Sequence, residues 1–349
     1  MTAMLPIITG IGSVSPYGHL AGLIPQCSPE PSAITAWTTS GLRRAFLVEP
    51  FHPASVVPGL KTRRLDRLSV WALVASSLAI QDAGIDLSQV DRSRIAVVFA
   101  TGFGCVELTE AFYQSASANG WSGTDPITFP ETLANAPASR VALHHDLRGP
   151  NLTVGCKSFA GESALIQAAS LLRHGQADMA IVLAGDTLTQ AVYEWYEAAD
   201  LLSPACYNSD LLSTVGGFMP SEGVVALLLE PEGSRASRSY ASLRSGRWAA
   251  GGEPRQIVRQ MLGGAVPSLT ICAGNGAPCA SSTAACSARM IVGHDAASLP
   301  AQAVAAGLAD TGALLHLVLA LSGAPRSGLA LMLGTSGDSG FAALLLELP

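Results

Sequence analysis

The sequence predicts an α/β fold on three observations: short apolar runs rich in Val, Ile and Leu, segments between them with apolar residues at helical spacing, and glycine at or just beyond the ends of those segments. Strands are expected, in order, at Pro6–Thr9, Ile95–Ala100, Met179–Ala184, Val224–Glu230, Leu269–Cys272, Leu329–Leu333 and Ala342–Leu348. These runs are apolar without alternation, as strands buried on both faces are. Helices are expected at Leu65–Ala83, Gly161–Arg173 and Thr311–Leu321, followed by Gly84, Gly175 and Gly323, the residue that most easily closes a helix in the left-handed conformation. The apolar run Thr311–Leu321 is too short to span a bilayer and reads as a core helix. The small-residue segment Gly274–Ala288 reads as a loop followed by a helix, and the polar stretch Pro231–Gly252 as a boundary between a half at 1–230 and a shorter half at 231–349. No repeated sequence is evident between the halves.

Composition narrows the function classes. The chain has 349 residues, of which 49% are hydrophobic and 13% charged, enough to bury a large core. A formal charge of -6 with only two lysines, Lys61 and Lys157, argues against nucleic acid or an anionic membrane as partner. Arg43, Arg44, Arg63 and Arg64 lie close in sequence, as ordinary solvated surface or as a basic patch for an acidic partner. Residues 1–18 lack the basic segment and apolar core of a secretory signal, so a cytoplasmic location is expected. The seven cysteines include no C-x-x-C pair and read as buried reduced thiols; Cys156, two residues before Ser158, shares a face with it if the strand continues that far. No glycine-rich phosphate loop or metal-ligand cluster appears, so no cofactor is expected.

A consistent set of segments runs through residues 6 to 230: Ile8-Thr9-Gly10-Ile11-Gly12, Asp82-Ala83-Gly84, Val98-Phe99-Ala100-Thr101-Gly102, Phe129-Pro130 with Asn135, Leu147-Arg148-Gly149-Pro150-Asn151, Leu202-Ser203-Pro204 and Gly217-Phe218-Met219-Pro220-Ser221-Glu222-Gly223. In order and spacing these resemble the β-ketoacyl synthase family. The resemblance implies the thiolase-like fold, two related α/β halves forming an αβαβα five-layered sandwich, usually dimerised across a shared sheet. It also places Ser158, within Gly155-Cys156-Lys157-Ser158-Phe159-Ala160-Gly161, at the family's nucleophilic cysteine. A thiolate is populated near neutral pH once its environment lowers its pKa, whereas a serine hydroxyl needs an adjacent base.

The family's two histidines are matched by alanine: Ala273 in Ala273-Gly274-Asn275-Gly276-Ala277, and Ala306 before Gly312-Ala313-Leu314, with Ala301 at the lysine position. A competing register uses Gly293-His294 with Arg289, but leaves a shorter spacing from Ala273 than the family usually has. His144, His145, His174 and His316 have no sequence position that points them at Ser158; His316 reads as half-buried packing or surface. In the glycine-rich segment Gly334–Phe341, Asp338 stands near the family's phenylalanine gate, where a carboxylate would repel a negatively charged extender. Glu222 reads as a structural, hydrogen-bonded carboxylate.

Such a chain resembles a chain length factor, the non-catalytic subunit that heterodimerises with an active ketosynthase in type II polyketide, aryl polyene or fatty-acid-like synthesis, with acyl carrier protein reached through the complex. By this resemblance Leu152, Thr153, Val154, Gly155 and Cys156 form the dimer edge. If Val106–Ser115 is helical, Leu108, Ala111, Phe112 and Ser115 share one face and line the acyl tunnel; the plain alternative makes Leu108 and Phe112 core. Serine lacks the bulk to close a cavity, so closure falls to Phe159, Lys157 or the partner. Two other readings stay open: a serine-dependent acyltransferase, thioesterase or decarboxylase using Ser158 with His294, His144 or His145 as base, and a carrier-protein-binding module using the arginine cluster. The short second half, trimmed after Glu230 and again after Ala320, favours the last.

Overall fold

The structure, a computed structural model, describes residues 5–25, 32–34, 37, 43–155, 159–200, 202, 220–234, 238–249, 254–273, 313–323, 327–335 and 340–349. The first strand, β1 (Pro6–Ser15), is buried along its whole length and pairs with β2 (Gly18–Ala21). A two-residue ladder, β3 (Ser32–Ala33) with β4 (Arg44–Ala45), and the single turn α1 (Pro53–Val56) lead to α2 (Arg67–Ala83). Helix α2 starts where the Asp66 carboxylate accepts from Leu68 N–H at 2.8 Å and stops at Gly84, φ 65°. It lies directly on β1: a Cβ on Gly12 would stand 2.1 Å from the Ala75 carbonyl oxygen, so only glycine allows this approach.

The chain continues through β5 (Ile95–Ala100), α3 (Val106–Asn119), α4 (Ala136–His145), β6 (Asn151–Val154), α5 (Ala160–Arg173), β7 (Met179–Asp186), α6 (Gln190–Ala198) and β8 (Gly223–Pro231). It then forms β9 (Ala241–Ala249), α7 (Pro254–Leu262), β10 (Leu269–Ala273), α8 (Ala313–Gly323), β11 (Gly328–Thr335) and β12 (Phe341–Leu348). Hydrogen bonding joins the strands in the order β10-β11-β12-β9-β1-β8-β7-β5-β6. Strand β5 is parallel to β7, β7 antiparallel to β8 and β8 antiparallel to β1. The same sequence of directions recurs from β10 to β11, β12 and β9. The two sets are joined by a ladder of only two residue pairs, Ile7–Ser242 and Ile8–Ala241. One unit therefore occurs twice, as β1-α2-β5, α5-β7-β8 and as β9-α7-β10, α8-β11-β12. The repeat lies in topology, which explains why no repeated sequence is visible.

Side-chain alternation along the strands builds the layers. One face, with Val98, Val182, Leu227, Ile271, Met332 and Leu344, packs in a single cluster with Leu165 and Ala168 of α5 and Leu314 and Val318 of α8. The opposite face of the first set, with Val97, Phe99 and Leu183, packs on α2 and α4, and that of the second set, with Leu331 and Phe341, on α7. The layers are thus α2/α4, sheet, α5/α8, sheet, α7. Among the described residues no helix is long and apolar enough to cross a membrane.

The main departure from expectation is β9, a nine-residue strand inside the stretch expected to be a polar linker. Only Ala241 and Leu243 of it are buried, while Arg244, Arg247 and Trp248 are exposed, so its composition looks like loop. Backbone pairing to β12 makes it a strand despite that surface. A polar cluster ties its approach to the first unit: Asp82 on α2 accepts from Ile11 N–H at 2.9 Å, from Arg238 and from the Tyr240 hydroxyl.

Candidate functional site

Helix α5 begins in the middle layer at Ala160, five residues after Gly155, which follows strand β6. Cys156, Lys157 and Ser158 lie outside the described residues, as do His294, Ala306 and Asp338. Phe159 is the N-cap of α5 and supplies no side-chain cap, and Ala160, Gly161 and Glu162 of the first turn are buried. A Cβ on Gly161 would stand 2.9 Å from the Ala313 Cβ, so the start of α5 meets the start of α8. Gly334, near the end of β11, admits no side chain: its Cβ would be 2.2 Å from Glu162 Oε1 and 3.1 Å from Phe159 Cβ. Gly340 lies against the Phe159 ring. Ala273, the last residue of β10, is in register with Gly334. The structure thus brings Phe159, Glu162, Gly334 and the backbone of Ala273 to one seam between the two units.

Glu162 is the residue the sequence reading passed over. It is 1% exposed, and neither carboxyl oxygen has a hydrogen-bond partner among the described residues. Burial pushes its carboxyl up to about 8, offset only in part by its own backbone N–H, so it is largely protonated at neutral pH. A single acidic residue in the first turn of an otherwise apolar, small-residue helix was the available signal. Here burial opposes the carboxylate that a helix N-terminus ordinarily favours.

The four expected tunnel residues lie on α3, which buries no residue in this chain. Leu108, Phe112 and Ser115 are half-buried and Ala111 is exposed, which corrects the reading of Leu108 and Phe112 as core. Phe112 packs on Phe129 at 5.6 Å and Tyr113 on Trp121 at 6.2 Å between ring centroids. Tyr113, Trp121, Ile127 and Phe129 remain 49–69% exposed, an apolar surface beside α3. The loop entering α3 is firmly held. At the end of β7, Asp186 accepts from the Thr101 hydroxyl at 2.6 Å and from Phe103 N–H at 2.9 Å, and Asp66 accepts from Leu108 N–H at 3.0 Å. Cys105 in this loop is buried, and desolvation raises its thiol pKa, so it is an inert thiol.

Strand β6 is the outer strand at its end of the described sheet, with Leu152 exposed and Thr153 and Val154 half-buried. Gly155 follows it. Neighbouring β5 feeds the loop that becomes α3, so the apolar face of α3 and this open edge belong to the same end of the sheet.

The histidines are dispersed. His144 and His145 are on α4, across the first sheet from α5; His145 Nε2 is 3.1 Å from the Ser76 hydroxyl oxygen, and burial pushes its imidazole down to about 3. That corrects both as bases for the start of α5. His174 sits at the far end of α5, its Nδ1 2.8 Å from the Ser170 carbonyl oxygen. His316 is 2% exposed, where half-buried packing or surface was expected, because α8 has a sheet on either side. The arginines divide between two neighbourhoods. Arg43 forms ion pairs with Glu194 and Glu197 on α6. Arg63 and Arg64 line a cleft of about 580 Å³ with Lys61, Arg140 and His144; its one acidic residue, Glu131, is ion-paired with Arg140. Glu222 is buried, accepts from Val48 and Leu188 N–H groups at 3.2 and 3.1 Å and pairs with Arg67, a structural role.

Five layers built from one unit used twice, with the start of a middle-layer helix at the seam, define a thiolase-like fold. The chain belongs to the β-ketoacyl synthase family: that family's N-terminal domain matches residues 29–234. It is similar to 3-oxoacyl-[acyl-carrier-protein] synthase 2 of Vibrio cholerae serotype O1, 28% identical over 181 residues, which are 49% of this chain and 43% of that protein. The match thus spans under half the length of that relative. The ishigamide ketosynthase/chain length factor superposes with a TM-score of 0.80 at 22% identity, covering 99% of both chains. A type II polyketide synthase ketosynthase, solved with its acyl-carrier protein and bound to the hexaketide, superposes with a TM-score of 0.78 at 16% identity over 100% of both chains.

Proposed function

We propose that this chain is a non-catalytic, ketosynthase-like subunit, a chain length factor, that heterodimerises with an active β-ketoacyl synthase and shapes the tunnel for its growing acyl chain. Residues 1–230 and 231–349 are its two halves. The observation that carries the reading is Ala273: it ends β10 in register with Gly334 at the start of α5, and alanine has no imidazole with which to stabilise an enolate or take a proton. Serine at 158 and alanine at 306 point the same way. The partner face is the apolar surface of α3 together with β6. Leu108, Ala111, Phe112 and Ser115 form the tunnel side of that face, Phe159 limits the pocket at α5, and Leu152–Cys156 is the dimer edge. Acyl carrier protein, an acidic partner, is met by the cleft holding Lys61, Arg63, Arg64 and Arg140.

Co-expression with ketosynthases encoded by the same genome tests the reading. A stable mixed dimer is expected, weakened when Leu152→Lys places a charge on the edge strand; a lone homodimer with condensing activity overturns it. A second reading, serine-dependent acyl transfer at Ser158, needs a base for the hydroxyl proton, which Glu162, largely protonated at neutral pH, does not supply. It requires an acyl ester on the isolated chain that disappears in Ser158→Ala.

A further inference from the structure

The cleft of about 580 Å³ beside the start of α2 is more than a basic patch. Its walls come from residues 59–65, from Leu73 of α2, from the turn carrying Ile127 and Glu131, and from Arg140 and Leu143 of α4. The volume falls among those of small-molecule sites, about 300–1,000 Å³. Two kinds of surface meet there. Lys61, Arg63 and Arg64 are exposed and make no ion pair among the described residues, while the cleft's one carboxylate, Glu131, is neutralised by Arg140. The remaining lining is apolar: Leu60 and Leu73 are buried, and Ile127 and Leu143 stand 62% and 71% exposed. Arg64 has φ 68°, a left-handed conformation that a residue with a Cβ adopts at a cost, so the fold holds this turn against its local preference.

Pairing with an acidic protein surface requires only the cations and gives the leucine floor no part. Inorganic phosphate would leave Ile127 and Leu143 in water, and a neutral hydrocarbon would gain nothing from the cations. We infer that the cleft is a binding site for a single-chain amphiphile with an anionic head, its carboxylate or phosphate held by Lys61, Arg63 and Arg64 and its chain laid over Leu60, Leu73 and Leu143. The site belongs to the outer α2/α4 layer, and the first sheet separates it from the start of α5. The functional reading above sets acyl carrier protein on the same cations, so a bound amphiphile competes with the carrier. Only that consequence rests on that reading.

The test titrates the full chain with octyl phosphate and with octanoate by calorimetry, alongside inorganic phosphate, which lacks the chain, and octanol, which lacks the charge. Both octyl anions should bind about tenfold more tightly than inorganic phosphate, and the tighter of the two identifies the head. Arg63→Glu combined with Arg64→Glu should weaken both anions about tenfold and leave octanol unchanged. Leu143→Ser, at an exposed position, should weaken the octyl anions about threefold and leave inorganic phosphate unchanged. Arg64→Gly, which suits the left-handed backbone, should weaken binding without lowering the urea midpoint. Octyl anions that bind no better than inorganic phosphate, or that bind the charge-reversed chain equally well, overturn the inference. Displacement of acyl carrier protein is measured in parallel. A carrier that depends on Arg63 and Arg64 while the octyl anions fail to bind sinks this inference alone; octyl anions that occupy the cleft without displacing the carrier sink only the placement of the carrier.

Discussion

Replacing Glu162 by glutamine removes one titrating proton while keeping the side chain's shape, and its effect on the pH dependence of stability follows from burial. In the folded chain the carboxyl holds its proton up to about pH 8; in the unfolded chain it releases it near 4.5. Between those values the native state binds one proton more than the unfolded state, so the slope of unfolding free energy against pH is negative. The stability difference due to Glu162 is absent below pH 4.5, grows as a penalty of about 1.4 kcal/mol per pH unit, and is complete above pH 8 at about 5 kcal/mol. Between pH 5.5 and 7.5 the parent chain should therefore lose about 3 kcal/mol relative to Glu162→Gln. Burial also raises Asp66 and Glu222, but both occur in the two proteins and cancel in the difference. The buried amide carries its own cost of about 1–3 kcal/mol, which does not vary with pH. Urea unfolding at pH 5.5, 6.5 and 7.5, followed by tryptophan fluorescence with Trp71 as a buried reporter, gives the two curves. If they run parallel within about 0.5 kcal/mol, Glu162 has a partner that keeps it ionised, and the reasoning from isolation fails.

Two further outcomes test the proposed role. In the mixed dimer, Phe112→Ala removes the ring that packs on Phe129; products should lengthen by at least one extender unit, and unchanged length removes Phe112 as the tunnel floor. Reversing charge in the cleft with Arg63→Glu and Arg64→Glu should weaken binding of acyl carrier protein about tenfold at low ionic strength and flatten its salt dependence. Isothermal titration at two salt concentrations checks this, and an unchanged affinity would place the carrier elsewhere.

The strands that the sequence made legible are those enclosed by helices on both sides. Ile95–Ala100 is continuously apolar and is β5 residue for residue, because both of its faces meet apolar layers and no alternation survives. The first helix is legible for a related reason: Asp66 and Gly84 supply local start and stop chemistry at the ends of α2. Strand β9 was not legible, since its pairing depends on β12 and β1 while only Ala241 and Leu243 of it are buried. Helix α3 was legible as a helix but not in its setting. An apolar row reads the same on the sheet side and on an open face, and only its lack of any buried residue separates the two.

The chain's own letters determined which chemical groups stand at the positions that matter: a hydroxyl at 158, methyl groups at 273 and 306, and runs whose periodicity made an α/β fold the economical solution. Tertiary structure alone decided which groups are isolated and which are joined. Glu162 and Glu222 are both buried glutamates, yet Glu222 meets two backbone N–H groups and an arginine, while the Glu162 carboxyl lies against Gly334 with no partner from another residue among those described. The physical reason is that desolvation and hydrogen bonding are set by neighbours from distant parts of the chain, Gly334 for Glu162 and Val48, Arg67 and Leu188 for Glu222, which no local pattern encodes.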